Sequence, residues 1–80
     1  MPDVVLYSRP GCHLCEDALQ LLESLRAEFG FALSEVNIES DPELERRFFV
    51  EIPVIELDGD VIVQAPIDAA VLRRALANSS

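Results

Sequence analysis

The most informative segment of this chain reads Val4-Val5-Leu6-Tyr7-Ser8-Arg9-Pro10-Gly11-Cys12-His13-Leu14-Cys15. Its first four residues are β-branched, aliphatic or aromatic, a composition typical of a buried strand. Residues 8–11 end that strand in a loop, because proline and glycine interrupt regular backbone pairing. Two cysteines follow where the chain leaves the loop, with two residues between them.

A helix is predicted directly after this loop. Apolar residues recur there at steps of three and four, which is the period of one helical face. They are Leu14, Ala18, Leu21, Leu22, Leu25 and Phe29. Gly30 is a plausible stop, since glycine adopts the left-handed conformation that commonly ends helices. A second strand is expected over residues 33–38, and the three elements together predict a right-handed parallel βαβ unit.

The second half of the chain predicts a short helix, a hairpin and a last helix. Residues 42–49 are expected to be helical, with Asp41 as the cap and Leu44 and Phe48 facing inward. Strands over residues 54–57 and 61–63 flank the turn Asp58-Gly59-Asp60 and should pair antiparallel. The last helix follows Pro66, with Asp68 near its start. Its expected apolar positions are Ile67, Val71, Leu72, Ala75 and Leu76.

This order, βαβαββα, predicts a single α/β domain over residues 1–80. The chain carries 15 acidic and 6 basic side chains, a formal net charge of −9, which argues against nucleic acid as a partner. No apolar run approaches the roughly 18 residues of a membrane-spanning helix. The N-terminus lacks the pattern of a secretory signal, so we expect a cytoplasmic monomer with no membrane partner.

The two cysteines predict thiol chemistry at the start of the first helix. Unpaired backbone N–H groups and the positive end of the helix dipole stabilise a thiolate, so the pKa of Cys12 should be lowered. Cys12 is therefore the expected nucleophile towards a disulfide. Cys15, one turn deeper and beside Glu16, should stay protonated and act as the resolving thiol. A protonated His13 would tune this pair, and no metal or organic cofactor is required.

Three other interpretations of the cysteines remain open. In the first, the cysteines are small apolar side chains in a helix. In the second, they bind zinc together with His13, although the chain offers no second pair of ligands. Cys12 from two chains is a third possibility, holding a metal or iron–sulfur cluster between them. In that case the protein would be a metal or iron–sulfur carrier. A further alternative is a protein-binding module that keeps the fold and has weak redox activity.

With strand, loop, cysteines and helix in this order, the chain resembles the glutaredoxins. Their active-site segment also runs Tyr-Ser-basic-Pro-x-Cys-x-x-Cys, and residues 7–15 match it. Ile52-Pro53 is similar to the Val-Pro segment at which thioredoxin-fold proteins carry a cis proline. The resemblance implies a thioredoxin-like, glutaredoxin-type fold: a four-stranded mixed sheet flanked by helices. It also implies that the backbone before Pro53 pairs with a substrate chain; otherwise Pro53 is simply a proline at a strand start.

The resemblance also concerns glutathione. Arg9 matches the basic residue that glutaredoxins place before the first cysteine, and Arg46 or Arg47 is the candidate for their second basic group. Residues 64–68 lack the glycines of the family's last turn and keep only Asp68. His13-Leu14 replaces the usual Pro-Tyr pair, as in a bacterial glutaredoxin-like group. Glutathione is accordingly one candidate co-substrate, and the expected partners are a disulfide-containing protein or a glutathione mixed disulfide, with an unidentified reductant.

Overall fold

The computed structural model describes residues 2–79 and contains four strands and three helices in that range. The elements are β1 (Asp3–Ser8), α1 (His13–Phe29), β2 (Ala32–Asn37), a 3₁₀ turn (Ile38–Ser40), α2 (Pro42–Phe48), β3 (Val54–Leu57), β4 (Asp60–Gln64) and α3 (Ala69–Ser79). The predicted order βαβαββα is confirmed. None of the helices in the described range is long and apolar enough to cross a bilayer.

The four strands form one mixed sheet in the order β2-β1-β3-β4. β1 and β2 run parallel, as expected for strands joined by α1, whereas β3 runs antiparallel to β1. β3 and β4 form the predicted antiparallel hairpin. At its turn, Asp58 and Gly59 both have positive φ angles, of 51° and 90°, which suits an Asp-Gly pair.

The sheet has a helical layer on each face because side chains alternate along β1. Val4 and Leu6 belong to the main core, which also contains Leu22 of α1 and Leu72 of α3. Tyr7 points the other way and packs at a second cluster beneath α2. The buried members of that cluster are Ile38, Phe48 and Val54. The prediction that Phe48 faces inward is confirmed, while Phe49 is exposed.

Helix α1 begins and ends where the sequence indicates, but its buried face is displaced from the predicted one. The buried residues are Cys15, Ala18, Leu22 and Leu25. Leu14, placed on the apolar face by its spacing, is instead 60% exposed. Successive helix residues are about 100° apart around the axis, so burial of Cys15 turns Leu14 to the rim of the stripe. The prediction for Leu14 was therefore wrong.

One strand boundary and one helix face also differ from expectation. β2 ends at Asn37, because the Asn37 side chain accepts the Glu39 N–H at 2.8 Å and starts the 3₁₀ turn at Ile38. In α3, burial falls on Leu72 and Leu76, four residues apart, and Val71 lies outside that stripe and is exposed. Asp68 caps α3 as predicted, with its carboxylate accepting the Ala70 N–H at 2.9 Å.

Candidate active site

The two cysteines are joined as a disulfide at the N-terminus of α1. Cys12 is the N-cap residue, and its Sγ accepts the backbone N–H of Cys15 at 3.1 Å. Cys12 is partly exposed, whereas Cys15 is only 2% exposed. The two sulfurs therefore differ in access, as the sequence predicts: one faces solvent and one lies beneath it.

Strand direction explains why the cysteines and Pro53 lie at the same edge of the sheet. β1 ends just before the cysteine loop, and β3 begins just after Pro53. Because the two strands run antiparallel, with Tyr7 opposite Val54, the end of one meets the start of the other. The Cys12 N–H donates to the Arg9 carbonyl at 3.4 Å and closes the loop between strand and helix.

The Ile52-Pro53 peptide bond is cis, as the resemblance implies. Pro53 is buried, and Ile52 is half-buried beside it. The Ile52 N–H already donates to the Phe48 carbonyl at 3.2 Å. A substrate backbone at this position would thus find the Ile52 N–H occupied, so strand addition there would rely on the Ile52 carbonyl.

The candidate cations are in different surroundings. The Arg9 guanidinium lies 5.4 Å from the centre of the Phe49 ring and, within residues 2–79, has no carboxylate at ion-pair distance. Arg46 is bound to Glu43 at 2.6 Å. Arg47 stacks over the Phe48 ring at 4.8 Å. Arg9 and Arg47 are therefore both outside the ion pairs of residues 2–79, and Arg9 is the one that lies in the loop leading to Cys12.

His13 follows Cys12 and lies largely in solvent. Its side chain is 86% exposed, and its Nδ1 lies 3.7 Å from the Glu16 carboxylate. A protonated His13 is thus placed beside a negative charge on the same helix turn. Among the described residues, no three His, Cys, Asp or Glu side chains converge as metal ligands would.

Sequence reasoning missed a polar cluster on β1. The Tyr7 hydroxyl donates to Glu56 at 3.1 Å, and the buried Ser8 hydroxyl donates to Glu35 at 2.9 Å. Burial, followed by the hydrogen bond and charge of Glu56, raises the pKa of Tyr7. These bonds tie β1 to both neighbouring strands immediately before the cysteine loop. The two glutamates come from strands that are distant in the sequence, so no local sequence pattern predicts these hydrogen bonds.

A groove beside the cysteines was also missed. It has a volume of about 250 Å³ and lies between one face of α1, the Pro53 loop and the segment before α3. A second cis peptide bond, Ala65-Pro66, lies in its wall. The lining residues are Leu14, Asp17, Ala18, Leu21, Pro53, Ala65, Pro66 and Ile67. The only local sequence feature that pointed to the groove was Pro66 beside Ile67, and this pair is equally typical of the start of a helix.

The sheet order, the paired cysteines at the helix start and the cis proline beside them define a thioredoxin-fold protein with a thiol–disulfide centre. The chain belongs to the glutaredoxin-like domain family (DUF836), which matches residues 3–77.

Relatives match over nearly the whole chain. A protein of Mycobacterium tuberculosis (strain H37Rv), described as uncharacterized, is 30% identical over 84 residues, covering 99% of this chain and 87% of its own. The X-ray structure of XcR50 from X. campestris is 33% identical, covers 96% of this chain and 99% of its own, and superposes with a TM-score of 0.78. The solution structure of Ne2328 from Nitrosomonas europaea is 28% identical over 92% of this chain and 89% of its own, with a TM-score of 0.81.

Thioredoxins share the fold at much lower identity. Oxidised thioredoxin from Plasmodium falciparum is 11% identical, covers 98% of this chain and 80% of its own, and has a TM-score of 0.69. This likeness establishes a thioredoxin-like fold. Together with the Cys12–Cys15 disulfide, the fold indicates thiol redox chemistry.

Proposed function

We propose that the protein is a small, glutaredoxin-like dithiol–disulfide oxidoreductase that works through Cys12 and Cys15. One observation carries the proposal: the partly exposed Cys12 sulfur accepts a helix N-terminal N–H and is paired with a buried second sulfur. A thiolate is a stronger hydrogen-bond acceptor than a neutral sulfur, so this position favours ionised Cys12 in the reduced protein.

The reaction proceeds by two thiol–disulfide exchanges. The Cys12 thiolate attacks one sulfur of the substrate disulfide, forming a mixed disulfide and releasing the other sulfur as a thiolate. Cys15 then loses its proton and attacks the Cys12 sulfur, which releases the second substrate thiolate. The substrate gains two electrons, the protein ends with the 12–15 disulfide, and solvent protonates the released thiolates. A thiol reductant restores the dithiol.

Under this proposal the other site residues have supporting roles. Arg9, unpaired and stacked on Phe49, supplies positive charge for an anionic substrate group. The Ile52 carbonyl and the Pro53 ring border the substrate backbone, and His13 has a weaker role in tuning the reduction potential. We place the activity in a reducing, cytoplasmic compartment and in a monomer. The substrates are protein disulfides or glutathione mixed disulfides, with glutathione as a candidate co-substrate and no bound cofactor.

A second candidate is a protein-binding module that keeps the fold and has little redox activity. Exposed apolar side chains near the site favour it: Phe49 stacks on Arg9, and the neighbouring Val50 is 85% exposed. The two candidates differ in the reactivity of Cys12. An oxidoreductase needs a thiolate at neutral pH, whereas a binding module functions with an ordinary thiol.

The test is a pair of single substitutions. Cys12→Ser should abolish reduction of bis(2-hydroxyethyl) disulfide, because the attacking sulfur is gone. Cys15→Ser should attack but fail to resolve, so intact mass spectrometry should show one mercaptoethanol adduct on Cys12.

Cys12→Ser and Cys15→Ser each remove one sulfur and the disulfide, so each controls for loss of the bond. Wild-type turnover in Cys12→Ser would show that Cys12 is not the nucleophile. Absence of an adduct on Cys15→Ser would show that Cys15 is not the resolving thiol.

A further inference from the structure

We propose that the groove beside the cysteines selects protein disulfides in which an apolar side chain and a Lys or Arg flank the reacting cysteine. The inference rests on the proposed oxidoreductase function and names its substrate class. The apolar side chain enters the groove, and the cation faces the carboxylate of Asp17. Glutathione mixed disulfides are poorer substrates of this groove.

The groove begins at Leu14, the residue directly before Cys15, and includes Pro53. Four of its lining residues lie on one face of α1, at Leu14, Asp17, Ala18 and Leu21, and Leu14 stands between the two cysteines. Pro53 also lines the groove. A substrate chain bound along Pro53 would therefore carry the side chains next to its cysteine into this space.

The volume fits side chains better than a whole small molecule. Ligand pockets commonly measure about 300–1,000 Å³, and this groove, at about 250 Å³, lies below that range. Its lining is aliphatic apart from Asp17. Leu14 is 60% exposed and lies against the other apolar side chains of the groove, so an apolar side chain from a partner would remove it from water.

Charge sets the second half of the preference. Asp17 is the charged residue of the lining, and within residues 2–79 it has no ion-pair partner. The cations of the site lie elsewhere: Arg9 is stacked on Phe49, and Arg46 is bound to Glu43. A substrate cation would find an unpaired carboxylate here. Glutathione, with two carboxylates and one ammonium group, would bring net negative charge to the same place.

The experiment uses peptide mixed disulfides of 5-thio-2-nitrobenzoate and reduced, full-length protein. Attack of Cys12 on the peptide sulfur forms the protein–peptide disulfide and releases the coloured thiolate. The peptides are acetyl-Leu-Lys-Cys-Lys-Leu-amide, its Glu counterpart with both Lys replaced, and its Gly counterpart with both Leu replaced. The glutathione mixed disulfide is the fourth substrate. Each rate constant is divided by that of 2-mercaptoethanol with the same substrate, which removes intrinsic reactivity.

We expect the Lys peptide to react about five-fold faster than the Glu peptide, as a surface ion pair allows. Asp17→Asn should reduce that ratio to about two-fold or less, and 0.5 M salt should do the same in the wild type. Glu23→Gln is the matched control, since it removes a carboxylate of α1 outside the groove and should leave the ratio unchanged.

The apolar half is tested with the Leu and Gly peptides. Partial burial of leucine should give the Leu peptide an advantage of about five-fold. Leu14→Ser should remove most of this advantage, and the ratio cancels any effect of the substitution on Cys12 itself. Val71→Ser, at an exposed apolar position of α3, is the control and should keep the ratio.

The inference would be overturned if Asp17→Asn left the Lys-to-Glu rate ratio unchanged and Leu14→Ser left the Leu-to-Gly rate ratio unchanged. It would also be overturned by a glutathione mixed disulfide that reacts as fast as the Leu-Lys peptide. If all four substrates release the coloured thiolate at the same relative rate and this release requires Cys12, the groove inference is wrong but the proposed function stands. If the wild type and Cys12→Ser release the coloured thiolate equally slowly from every substrate, the proposed function fails as well.

Discussion

Cys12 occupies the position at which helices usually place Ser, Thr, Asp or Asn. Its sulfur accepts the Cys15 N–H, so one atom both caps α1 and carries the proposed chemistry. The same N–H that holds the start of the helix therefore stabilises negative charge on the attacking sulfur. A side chain at position 12 that accepts the Cys15 N–H but is not a nucleophile towards disulfides would separate helix capping from the chemistry.

The cap predicts a difference between two substitutions that both remove the disulfide. Cys12→Ser keeps an acceptor for the helix N–H, whereas Cys12→Ala leaves it unpaired. The free energy of unfolding, measured in urea, should be higher for Cys12→Ser by about 1 kcal/mol. Equal stability of the two variants would show that the sulfur does not cap α1.

Tyr7 offers a spectroscopic test of the cluster beneath the loop. Tyr7 is the one tyrosine of the chain, which has no tryptophan, so its ionisation is read directly from ultraviolet absorbance against pH. Burial and Glu56 raise the pKa of Tyr7 above its ordinary value near 10. Glu56→Gln should lower the midpoint part of the way back, because burial remains. Glu35→Gln, which affects Ser8 instead, should leave it unchanged.

The raised pKa of Tyr7 also fixes the sign of its effect on stability. Above pH 10 the unfolded chain loses the tyrosine proton while the folded protein still holds it. The contribution is therefore complete below pH 10 and lost as the pH rises through the folded-state value. A Tyr7 midpoint at or below 10 in the folded protein would contradict this account.

At the level of elements, α1 ends through a backbone conformation that the sequence signals directly. Gly30 has φ 68°, and its N–H donates to the Arg26 carbonyl at 2.8 Å. A Cβ at this position would meet no heavy atom within 4 Å. Replacement by alanine therefore costs only the strain of the left-handed conformation.

Gly30→Ala should accordingly lower the free energy of unfolding by about 1 kcal/mol. Gly30→Asn should cost less, since asparagine tolerates the left-handed region better than alanine. Chemical denaturation of the two variants and the wild type gives the comparison. An alanine variant as stable as the wild type would mean that this helix end does not depend on glycine.

Elements with strong local signals were predictable from the sequence. The cap at Asp68, the stop at Gly30 and the Asp58-Gly59 turn each depend on one or two residues, and all three are present as expected. Helix faces were harder, because Leu14 and Val71 satisfy an apolar period and yet lie outside the buried stripe. Which of several apolar neighbours is buried depends on what the sheet presents to the helix.

The site was predictable in part for the same reason. The depth difference between Cys12 and Cys15 follows from their positions in one helix turn. The cis conformation of the Ile52-Pro53 bond was predicted from the family resemblance and not from the local sequence. The groove and the Tyr7–Glu56 bond join segments far apart in the chain, so they appear only once the fold is assembled.

At the scale of the whole molecule, the antiparallel pairing of β1 and β3 brings the cysteine loop and the Pro53 loop to one edge of the sheet. The chain as a whole is strongly acidic, with a formal net charge of −9. Screening limits long-range repulsion to about 8 Å at physiological ionic strength, so Arg9 and Asp17 govern the local preference. The thiol pair thus has Arg9 in its own loop and Asp17 in the neighbouring groove, and within residues 2–79 neither side chain belongs to an ion pair.

The most direct test of the central claim is a titration of the purified protein in graded glutathione redox buffers. Acid quenching, alkylation and intact mass distinguish dithiol, disulfide and adduct unambiguously, because the chain has only two cysteines. An oxidoreductase should interconvert dithiol and 12–15 disulfide reversibly, with one midpoint between about −270 and −120 mV from either direction. Thiols that stay reduced in every buffer, or a disulfide that no buffer opens, would contradict the assignment of Cys12 and Cys15 as an exchanging pair.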